Sequence, residues 1–401
     1  MDSLTQIILG AAVGEAVLGK KVGNRAMVWG AIAGTIPDLD VLSNGFMSPI
    51  DALAFHRGFS HSFVFSVLAS VLLGWLVYRM YKLPYHRWFG IAGWGILVTS
   101  IGLLVVFTGE FKITKFLLGL LIMSGLGWLV YKRYFRKGYS SPDVDLKQWQ
   151  WMFFLSLVTH PILDCFTTYG TQFLLPFSNQ RIAFSNIAVA DPFYTLPFII
   201  CLLIAMFLPR TSPKRAVWNR CGLIISSLYM IFTIYNKTRI NTIFENSLRQ
   251  ENLIFSRYMT SPSILNNILW SGIAETDSAF YYGQYSFFDK EKVFKLSKKD
   301  KNRSPFGTSI DTNQTMKTLR WLSNDYFVLE RKNGDTLQYF DLRFGTFRMK
   351  STEPDNFVFK FNVLEKPVGN FILLNQGEGP RDADIGEVFK VLWNRVLGRT
   401  P

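Results

Sequence analysis

The length, composition and charge of the chain favour a membrane part followed by a water-soluble part. The chain has 401 residues, of which 49% are hydrophobic and only 18% are charged, and its formal net charge is +14. The basic residues cluster in short loops between apolar runs, as in membrane proteins, so no nucleic-acid partner is expected. The three cysteines lie in or beside apolar segments, which argues against a disulfide framework.

Two short segments rich in glycine and alanine begin the chain. Residues 4–18 and 26–36 are apolar and shorter than the ~20 residues of a straight membrane span. Small residues let helices approach closely, so we predict helices that are buried or only partly span the membrane. Gln6 is a candidate supporting residue for a site at the outer face, and Glu15 is expected to pair with Arg25 or a backbone group. No basic residue precedes the first apolar run, so this helix is expected to be retained.

Six longer apolar segments follow, and each is predicted to be a membrane-spanning helix. They cover residues 62–81, 88–107, 114–131, 149–166, 192–208 and 217–235. Lys and Arg concentrate in loops that are therefore assigned to the cytoplasm, at residues 79–87, 132–147 and 209–220. This topology, derived from Lys and Arg alone, places every candidate site residue on the extracytoplasmic side.

The pattern changes after the last apolar segment. Residues 238–252 are predicted to be a polar helix that leaves the membrane. From residue 279, polar residues alternate with apolar or aromatic ones, as in half-buried strands. Asn333-Gly334, between two such runs, predicts a hairpin. Residues 291–303 are interpreted as a basic connector, and residues 383–396 as a closing helix.

These patterns together predict two domains. Residues 1–239 are expected to form a mainly α-helical integral membrane domain of about six to eight helices. Residues 240–401 are expected to form a small, mostly antiparallel α+β domain outside the membrane, on the extracytoplasmic side.

One loop concentrates the residues that can carry chemistry. The stretch IPDLDVLSNGFMSPIDALAFHRGFSHS, residues 36–62, holds two carboxylates, Asp38 and Asp40, and two of the four histidines, His56 and His61. Charged and imidazole groups near a membrane are costly and need partners. One divalent cation satisfies several of them at once, so this loop predicts part of a metal site.

A second stretch, VTHPILDCFTTYGTQ, supplies matching groups about a hundred residues later. His160 and Asp164 are four residues apart, which places them on one helix face. Neutral imidazole combined with carboxylate suits zinc best, with manganese or iron possible. The predicted metal ligands are Asp38, His56, His61, His160 and Asp164.

Three further residues are candidates for catalysis. Asp40 or Asp191 would complete the site or act as general base. Arg57 can bind a phosphate in a bidentate manner. A water on a metal with an open position becomes a nucleophile at neutral pH, which suits hydrolysis of a phosphoester.

Each of these pieces also has an interpretation without a metal. The histidines of HRGFSHS can cap a helix or lie at the membrane interface, and PDLD can form a turn. His160 and Asp164 can be a buried hydrogen-bonded pair. Asp191 can simply begin a helix, and Arg57 can form a salt bridge at the rim. Cys165 is explained more simply as a packed core thiol than as a ligand.

At these residues the chain resembles the YdjM-like family of bacterial inner-membrane proteins, which are described as metal-dependent hydrolases. The resemblance covers roughly residues 1–210 and rests on TQIILGAAVGEA, IPDLD, HRGFSHS, THPILDCFTTYGTQ and ADPFYTLP. It implies an integral protein of the bacterial inner membrane with metal-dependent hydrolase activity. Many relatives have a Thr-His pair where this chain has Thr5-Gln6, so one family ligand is absent here.

Three functions are compatible with these observations. The first is an integral membrane metal-dependent hydrolase that acts on a phosphoester of a lipid or lipid-linked substrate, because a site at headgroup depth meets lipid first. The second is a non-enzymatic membrane anchor that presents a β-rich binding domain, with a structural metal. The third is transport, which is weaker because the ionisable residues cluster at one face and do not line a crossing. Membrane lipids are the expected partners.

Overall fold

The chain folds into a helical part followed by two small antiparallel sheets. The computed structural model describes residues 1–107, 113–136, 141–303, 306, 309–347, 356–366, 370–377 and 385–399. The helices of the first part are α1 (Ser3–Val22), α2 (Asn24–Thr35), α3 (Pro49–Phe55), α4 (Phe63–Lys82), α5 (His86–Phe107), α6 (Ile113–Tyr131), α7 (Leu146–Cys165), α8 (Pro192–Phe207) and α9 (Pro213–Gln250). A 3-10 helix, Ile36–Gly45, connects α2 to α3.

Two four-stranded sheets make up most of the second part. The first has the order β1 (Arg257–Pro262), β2 (Leu269–Glu275), β3 (Ala279–Ser286), β4 (Ser297–Asp300). The second has the order β5 (Phe327–Asn333), β6 (Thr336–Phe347), β7 (Asn356–Lys366), β8 (Asn370–Gln376). Helices α10 (Ser309–Thr312) and α11 (Gln314–Ser323) lie between the sheets in sequence, and α12 (Ile385–Val396) follows them.

Several sequence predictions for this second part are confirmed, and two are wrong. The hairpin at Asn333-Gly334 joins β5 to β6, with Gly334 at a φ of +54° that glycine adopts without strain. The closing helix is α12. The predicted separate helix at 238–252 is instead the continuation of α9, because no glycine or proline interrupts the chain between Tyr235 and Gln250. The basic connector at 291–303 contains strand β4, which pairs with β3.

Helix α7 runs through the middle of the helical part. Its residues Trp149, Phe153 and Leu157 are spaced four apart, so they form one apolar stripe, and all three are buried. They pack in a common core with Leu18 of α1 and Val77 of α4. This central position fixes the end of α7, where the two site candidates of that helix lie.

Helices α1 and α2 approach so closely that their backbones touch. A Cβ atom at Gly10 would lie 2.3 Å from the carbonyl oxygen of Gly30, and one at Gly30 would lie 2.2 Å from the carbonyl oxygen of Gly10. At Gly34 it would lie 2.5 Å from the carbonyl oxygen of Gln6. Larger residues would force the helices apart, so the small-residue pattern produces the close packing expected of these segments.

Two helices have the dimensions of membrane spans. Among the described residues, α4 and α9 are long and apolar enough to cross a membrane by length and composition, and shorter apolar helices cover Phe116–Tyr131 and Pro192–Phe207. Both long helices expose large apolar side chains, such as Leu68 and Leu72 of α4 and Leu228 and Ile231 of α9. Such faces suit a lipid environment. The other four predicted spans stay predictions.

The carboxyl end of α9 carries the first sheet. With 38 residues, α9 is about 57 Å long, well beyond the ~30 Å of a hydrocarbon core. Phe244 and Leu248 in its last turns are buried against Trp270 and Phe294. The predicted domain boundary between residues 239 and 240 falls inside this helix and stays a prediction.

The second sheet packs against the loop that follows α7. The ring of Tyr169 lies in one core cluster with Phe327, Tyr339 and Phe361 of the sheet. Arg343 of β6 donates a hydrogen bond from Nη1 to the carbonyl oxygen of Thr168, over 3.5 Å. Both sheets therefore adjoin the end of the helical part where α7 ends.

Candidate metal centre

Four side chains from distant parts of the sequence converge at this end of the helical part. Asp38, His61, His160 and Asp164 each offer one ligand atom, and these atoms lie within 4.8 Å of one another. The side chains of the two histidines and of Asp164 are fully buried, whereas that of Asp38 is 18% exposed. A group of this composition can hold a divalent metal ion.

Five of the six distances between the four ligand atoms are close to the edges of a tetrahedron, and the sixth, between Asp38 and Asp164, is within 4.8 Å. The Nε2 atoms of His61 and His160 are 3.1 Å apart. Nε2 of His160 lies 3.3 Å from Oδ1 of Asp38 and 3.6 Å from Oδ2 of Asp164. Nε2 of His61 lies 3.5 Å from each of these two oxygens. Ligands about 2.0–2.1 Å from a tetrahedral zinc ion are about 3.3 Å from one another, so the spacing suits such an ion.

The local structure of two segments positions these groups. His160 and Asp164 are one turn apart on α7 and therefore face the same side. In the 3-10 helix Ile36–Gly45, Asp40 is buried, whereas Leu39 is 50% exposed and Leu42 is 65% exposed. This segment thus turns carboxylates toward the centre and apolar side chains outward.

Hydrogen-bond acceptors at Nδ1 orient both imidazole rings. Nδ1 of His160 lies 2.6 Å from the carbonyl oxygen of Gly34, which can only accept, so Nδ1 carries the proton. Nδ1 of His61 lies 3.3 Å from Oδ2 of Asp40 and 3.1 Å from Oγ of Ser60. In a neutral ring, a proton on Nδ1 leaves Nε2 free as a metal ligand. Both Nε2 lone pairs are therefore available to the centre.

Asp40 supports the centre without belonging to the four convergent groups. Its oxygens contact Nδ1 of His56 at 3.0 Å, the backbone N–H of Arg57 at 2.8 Å and Nδ1 of His61 at 3.3 Å. Burial raises the pKa of Asp40, but hydrogen bonds from His56 and His61 outweigh it, so the pKa is lowered overall. Asp40 is therefore an ionised anchor that holds the loop His56–His61 in place.

The Asp40→Asn variant is expected to bind zinc about 10–100-fold more weakly than the wild type, because partners that orient a ligand histidine contribute on this scale. Competition with a chelator of known affinity measures the change in the full-length protein. Asp51→Asn is the matched control, since Asp51 is exposed and bonds Ser48 at the start of α3. Equal zinc affinity in Asp40→Asn and wild type would contradict this supporting role.

Arg57 adopts a backbone conformation that few large residues adopt. Its φ is +57°, in the left-handed region, which costs roughly 1–2 kcal/mol for a residue with a Cβ. This turn directs the backbone N–H of Arg57 to Asp40. The guanidinium is buried: its Nε lies 3.3 Å from Oδ2 of Asp164, and its Nη1 donates to Oγ1 of Thr167 over 2.8 Å. A glycine would relieve the strain but would lose both side-chain contacts.

Gln6 contacts the same carboxylate that the histidines face. Its Nε2 donates to Oδ1 of Asp164 over 3.0 Å and to the carbonyl oxygen of His160 over 3.2 Å. The amino group of Met1 also contacts Oδ1 of Asp164. Gln6 therefore orients Asp164, with Oδ1 engaged and Oδ2 turned to the centre, which agrees with the supporting role expected for it.

Two candidate residues lie outside the convergent group. His56 is 36% exposed at its side chain, and its contact is with Asp40 at the edge of the centre. Asp191 caps α8, with Oδ1 accepting from the N–H of Phe193 over 3.0 Å and Oδ2 from the hydroxyl of Tyr229 over 2.9 Å. One oxygen of Asp191 thus caps α8, and the other joins α8 to α9.

Some partners of the centre had no signal in the sequence. The carbonyl oxygen of Gly34 orients His160, and a backbone group leaves no trace in a side-chain pattern. Arg181 donates to the carbonyl oxygen of His56 from a loop far along the chain, where no motif marks it. Glu15 pairs with Arg215 and not with Arg25, because α9 passes alongside α1 at that depth.

Fold and centre together define the class of this protein. It is a largely helical protein with apolar outer faces, a His/Asp group that can hold a divalent ion at one end, and two antiparallel sheets adjoining that end.

Comparison with known proteins gives the family. The family described as YdjM inner membrane protein matches residues 1–106 and 113–240. The chain belongs to this family, as the motifs indicated, and the family supports a membrane location. The uncharacterized protein YfhP of Bacillus subtilis (strain 168) is 33% identical over 100 residues, which are 25% of this chain and 27% of that protein. No solved structure matches the chain.

Proposed function

We propose that this protein is an integral membrane metal-dependent hydrolase that acts on a phosphoester of a lipid or lipid-linked substrate. Asp38, His61, His160 and Asp164 would hold the ion, with zinc preferred over manganese or iron for this set of nitrogen and oxygen ligands. A divalent ion bound there supplies a Lewis acid and a water of lowered pKa.

One observation carries the metal assignment. Oδ2 of Asp164 is fully buried and has no hydrogen-bond partner among the described atoms: Nε2 of both histidines lies 3.5–3.6 Å away, and Nε of Arg57, at 3.3 Å, makes an ion pair with it but no hydrogen bond. A buried carboxylate oxygen without a hydrogen bond is costly, and a metal ion bound between it and the two histidines would remove that cost. The interpretation of His160 and Asp164 as a simple hydrogen-bonded pair is less favourable, because their separation of 3.6 Å is too long for a hydrogen bond.

The surroundings of the centre support an amphiphilic substrate. Asp38 of the centre and His56 at its edge are partly exposed. Large apolar side chains that are exposed to solvent lie in the same segments, namely Leu39, Leu42, Phe46, Phe59 and Phe63. A lipid whose acyl chains lie against such side chains would present its headgroup to Asp38 and His56.

The residues around the ion have separate tasks in this proposal. His56, held at Nδ1 by Asp40, has its other ring nitrogen available to accept a proton from an attacking water. Arg57 and Gln6 hold Asp164 from two sides. Asp191 is assigned no part, because both of its oxygens are already engaged.

The test is turnover by the full-length protein in detergent, loaded with zinc, manganese or iron, on a panel of soluble and lipid phosphoesters. We expect metal-dependent release of product that falls at least about 100-fold in His61→Gln. His86→Gln is the matched control, because His86 begins α5 and bonds the carbonyl oxygen of Leu83. Equal turnover in His61→Gln and wild type would reject the assignment.

A second function is favoured by one specific feature. Four protein ligands can fill a tetrahedral zinc site completely, which is the hallmark of a structural metal. The protein would then be a membrane anchor that presents its β-rich part to a partner. X-ray absorption of the zinc-loaded full-length protein separates the two: an additional oxygen ligand from water supports the hydrolase, and closed four-fold coordination by the protein supports the anchor.

We also propose that the centre and the sheets lie on the extracytoplasmic side of the inner membrane. The basic loop ahead of α9 lies at the opposite end of that helix from the first sheet, and short basic loops favour the cytoplasm. Two variants that lack the native cysteines test this, one with a cysteine in place of exposed Asp277 and one with a cysteine in place of exposed Lys214. Intact cells are treated with an impermeant maleimide. Labelling at position 277 alone is expected, and labelling at position 214 alone would show the opposite orientation.

A further inference from the structure

Arg181 lies beside the centre as a cation without a carboxylate partner in the described part of the chain. It donates from Nε to the carbonyl oxygen of Tyr169 over 3.3 Å, from Nη1 to that of His56 over 3.4 Å and from Nη2 to that of Gly170 over 3.1 Å. An arginine has five N–H donors, so one on Nη1 and one on Nη2 remain unused. Its contact with the backbone of His56 places it at the exposed edge of the centre.

A second arginine lies against the same aromatic ring. The Cζ atoms of Arg181 and Arg57 lie 4.5 Å and 5.2 Å from the centroid of Tyr169. The hydroxyl of Tyr169 is itself buried without a hydrogen-bond partner among the described atoms. Arg181 keeps two unused N–H groups and Tyr169 an unpaired hydroxyl, so this corner of the site has more hydrogen-bond donors than acceptors among the described atoms.

The side-chain charges around the centre leave Arg181 in excess. Three carboxylates, those of Asp38, Asp40 and Asp164, are balanced by one divalent ion and Arg57, and the amino group of Met1 beside Asp164 adds a further positive charge when it is protonated. The next arginine, Arg343, is neutralised by Asp341 at 2.7 Å. Burial, together with the charges of Arg343 and Arg57, lowers the pKa of Arg181 to about 10, so it remains a cation at neutral pH.

We propose that Arg181 binds the anionic group of the substrate, a phosphate or phosphoester, beside the metal centre. Its two unused N–H groups suit the oxygens of such an anion, which guanidinium binds in a bidentate manner. The anion would reach the centre at its exposed edge, next to His56 and Asp38. This inference rests on the proposed function for its substrate class, but binding of the anion can be measured without turnover.

The experiment titrates the zinc-loaded full-length protein in detergent by calorimetry with two probes. One probe is inorganic phosphate, and the other is a short-chain phosphatidic acid below its micelle concentration, so that free phosphate and a lipid headgroup are distinguished. Wild type is expected to bind at least one probe, and Arg181→Gln is expected to weaken that binding at least tenfold with the zinc content unchanged. Arg181→Lys keeps the positive charge but loses the paired N–H donors of the guanidinium. Its affinity for the probe is expected to lie between those of wild type and Arg181→Gln.

Arg303→Gln is the matched control. Arg303 also stacks on an aromatic ring, 4.1 Å from the centroid of Phe327, and donates to a backbone carbonyl, that of Asp325, but it lies in the second part of the chain. The affinity of Arg303→Gln for phosphate should equal that of wild type. Wild-type binding of neither probe below about 10 mM, or equal affinity in Arg181→Gln and wild type, would overturn the inference. Absence of turnover with intact phosphate binding would instead count against the hydrolase alone.

Discussion

The His160→Gln variant is expected to lose stoichiometric zinc. The imidazole of His160 offers one of the four candidate ligand atoms, and the carbonyl oxygen of Gly34 orients it through Nδ1, so a glutamine at this position does not reproduce the ligand. Zinc in structural four-ligand sites is bound with about 10–16 kcal/mol. One ligand of four thus corresponds to about 2.5–4 kcal/mol, or a loss of affinity of roughly 70–900-fold.

Metal content and stability measure this loss together. Mass spectrometry of the purified full-length protein should find about one equivalent of zinc in wild type and His86→Gln, and little in His160→Gln. Added zinc should raise the thermal midpoint of wild type more than that of the variant, because a ligand that binds only the folded state stabilises it. If the variant retains full zinc, or if wild type binds none of zinc, manganese or iron after reconstitution, the four groups are a polar network and not a metal centre.

The second large effect is expected at the opposite end of the helical part, where Glu15 and Arg215 form a buried pair. Nε and Nη2 of Arg215 each donate to one carboxylate oxygen of Glu15, both over 2.6 Å. Removing one partner leaves the other charge buried and unpaired. Arg215→Met is therefore expected to lower the free energy of unfolding by about 3–5 kcal/mol.

A double replacement separates the pair from the packing around it. Glu15→Met combined with Arg215→Met removes both charges and keeps side-chain volume, so it should recover most of the stability lost in Arg215→Met. Denaturant unfolding in detergent measures all three proteins. The exposed pair Glu245 and Arg249 on α9 provides the control, and Arg249→Met should change the unfolding midpoint little. If Arg215→Met and the double variant have the same free energy of unfolding, the two charges are not coupled.

The candidate ligands were predictable from the sequence because spacing and chemistry restrict them. Asp38, His61, His160 and Asp164 each lie in a motif that has polar groups at the end of an apolar segment. The sequence could not distinguish His56 from His61, although both lie in HRGFSHS. That difference comes from the left-handed turn at Arg57, which directs His61 into the centre and leaves His56 against Asp40 at its edge.

The order of helices followed by antiparallel strands was also predictable, since it depends on local periodicity and turn residues. The residue at which α9 ends was not predictable from the sequence. Its continuation to Gln250 is stabilised by the contacts of Phe244 and Leu248 with the first sheet, and such tertiary contacts override a change in local polarity.

The sequence by itself determined which residue types could form a metal centre, that the small residues of α1 and α2 would let these segments pack closely against other helices, and that strands would follow the helices. Each of these depends on neighbours along the chain. Only the tertiary structure decided the rest: which of the candidates share one centre, that Arg215 and not Arg25 meets Glu15, and that Arg181 lies at the edge of the site. These contacts join residues that are far apart in sequence, and packing of whole helices and sheets, not local pattern, brings them within bonding distance.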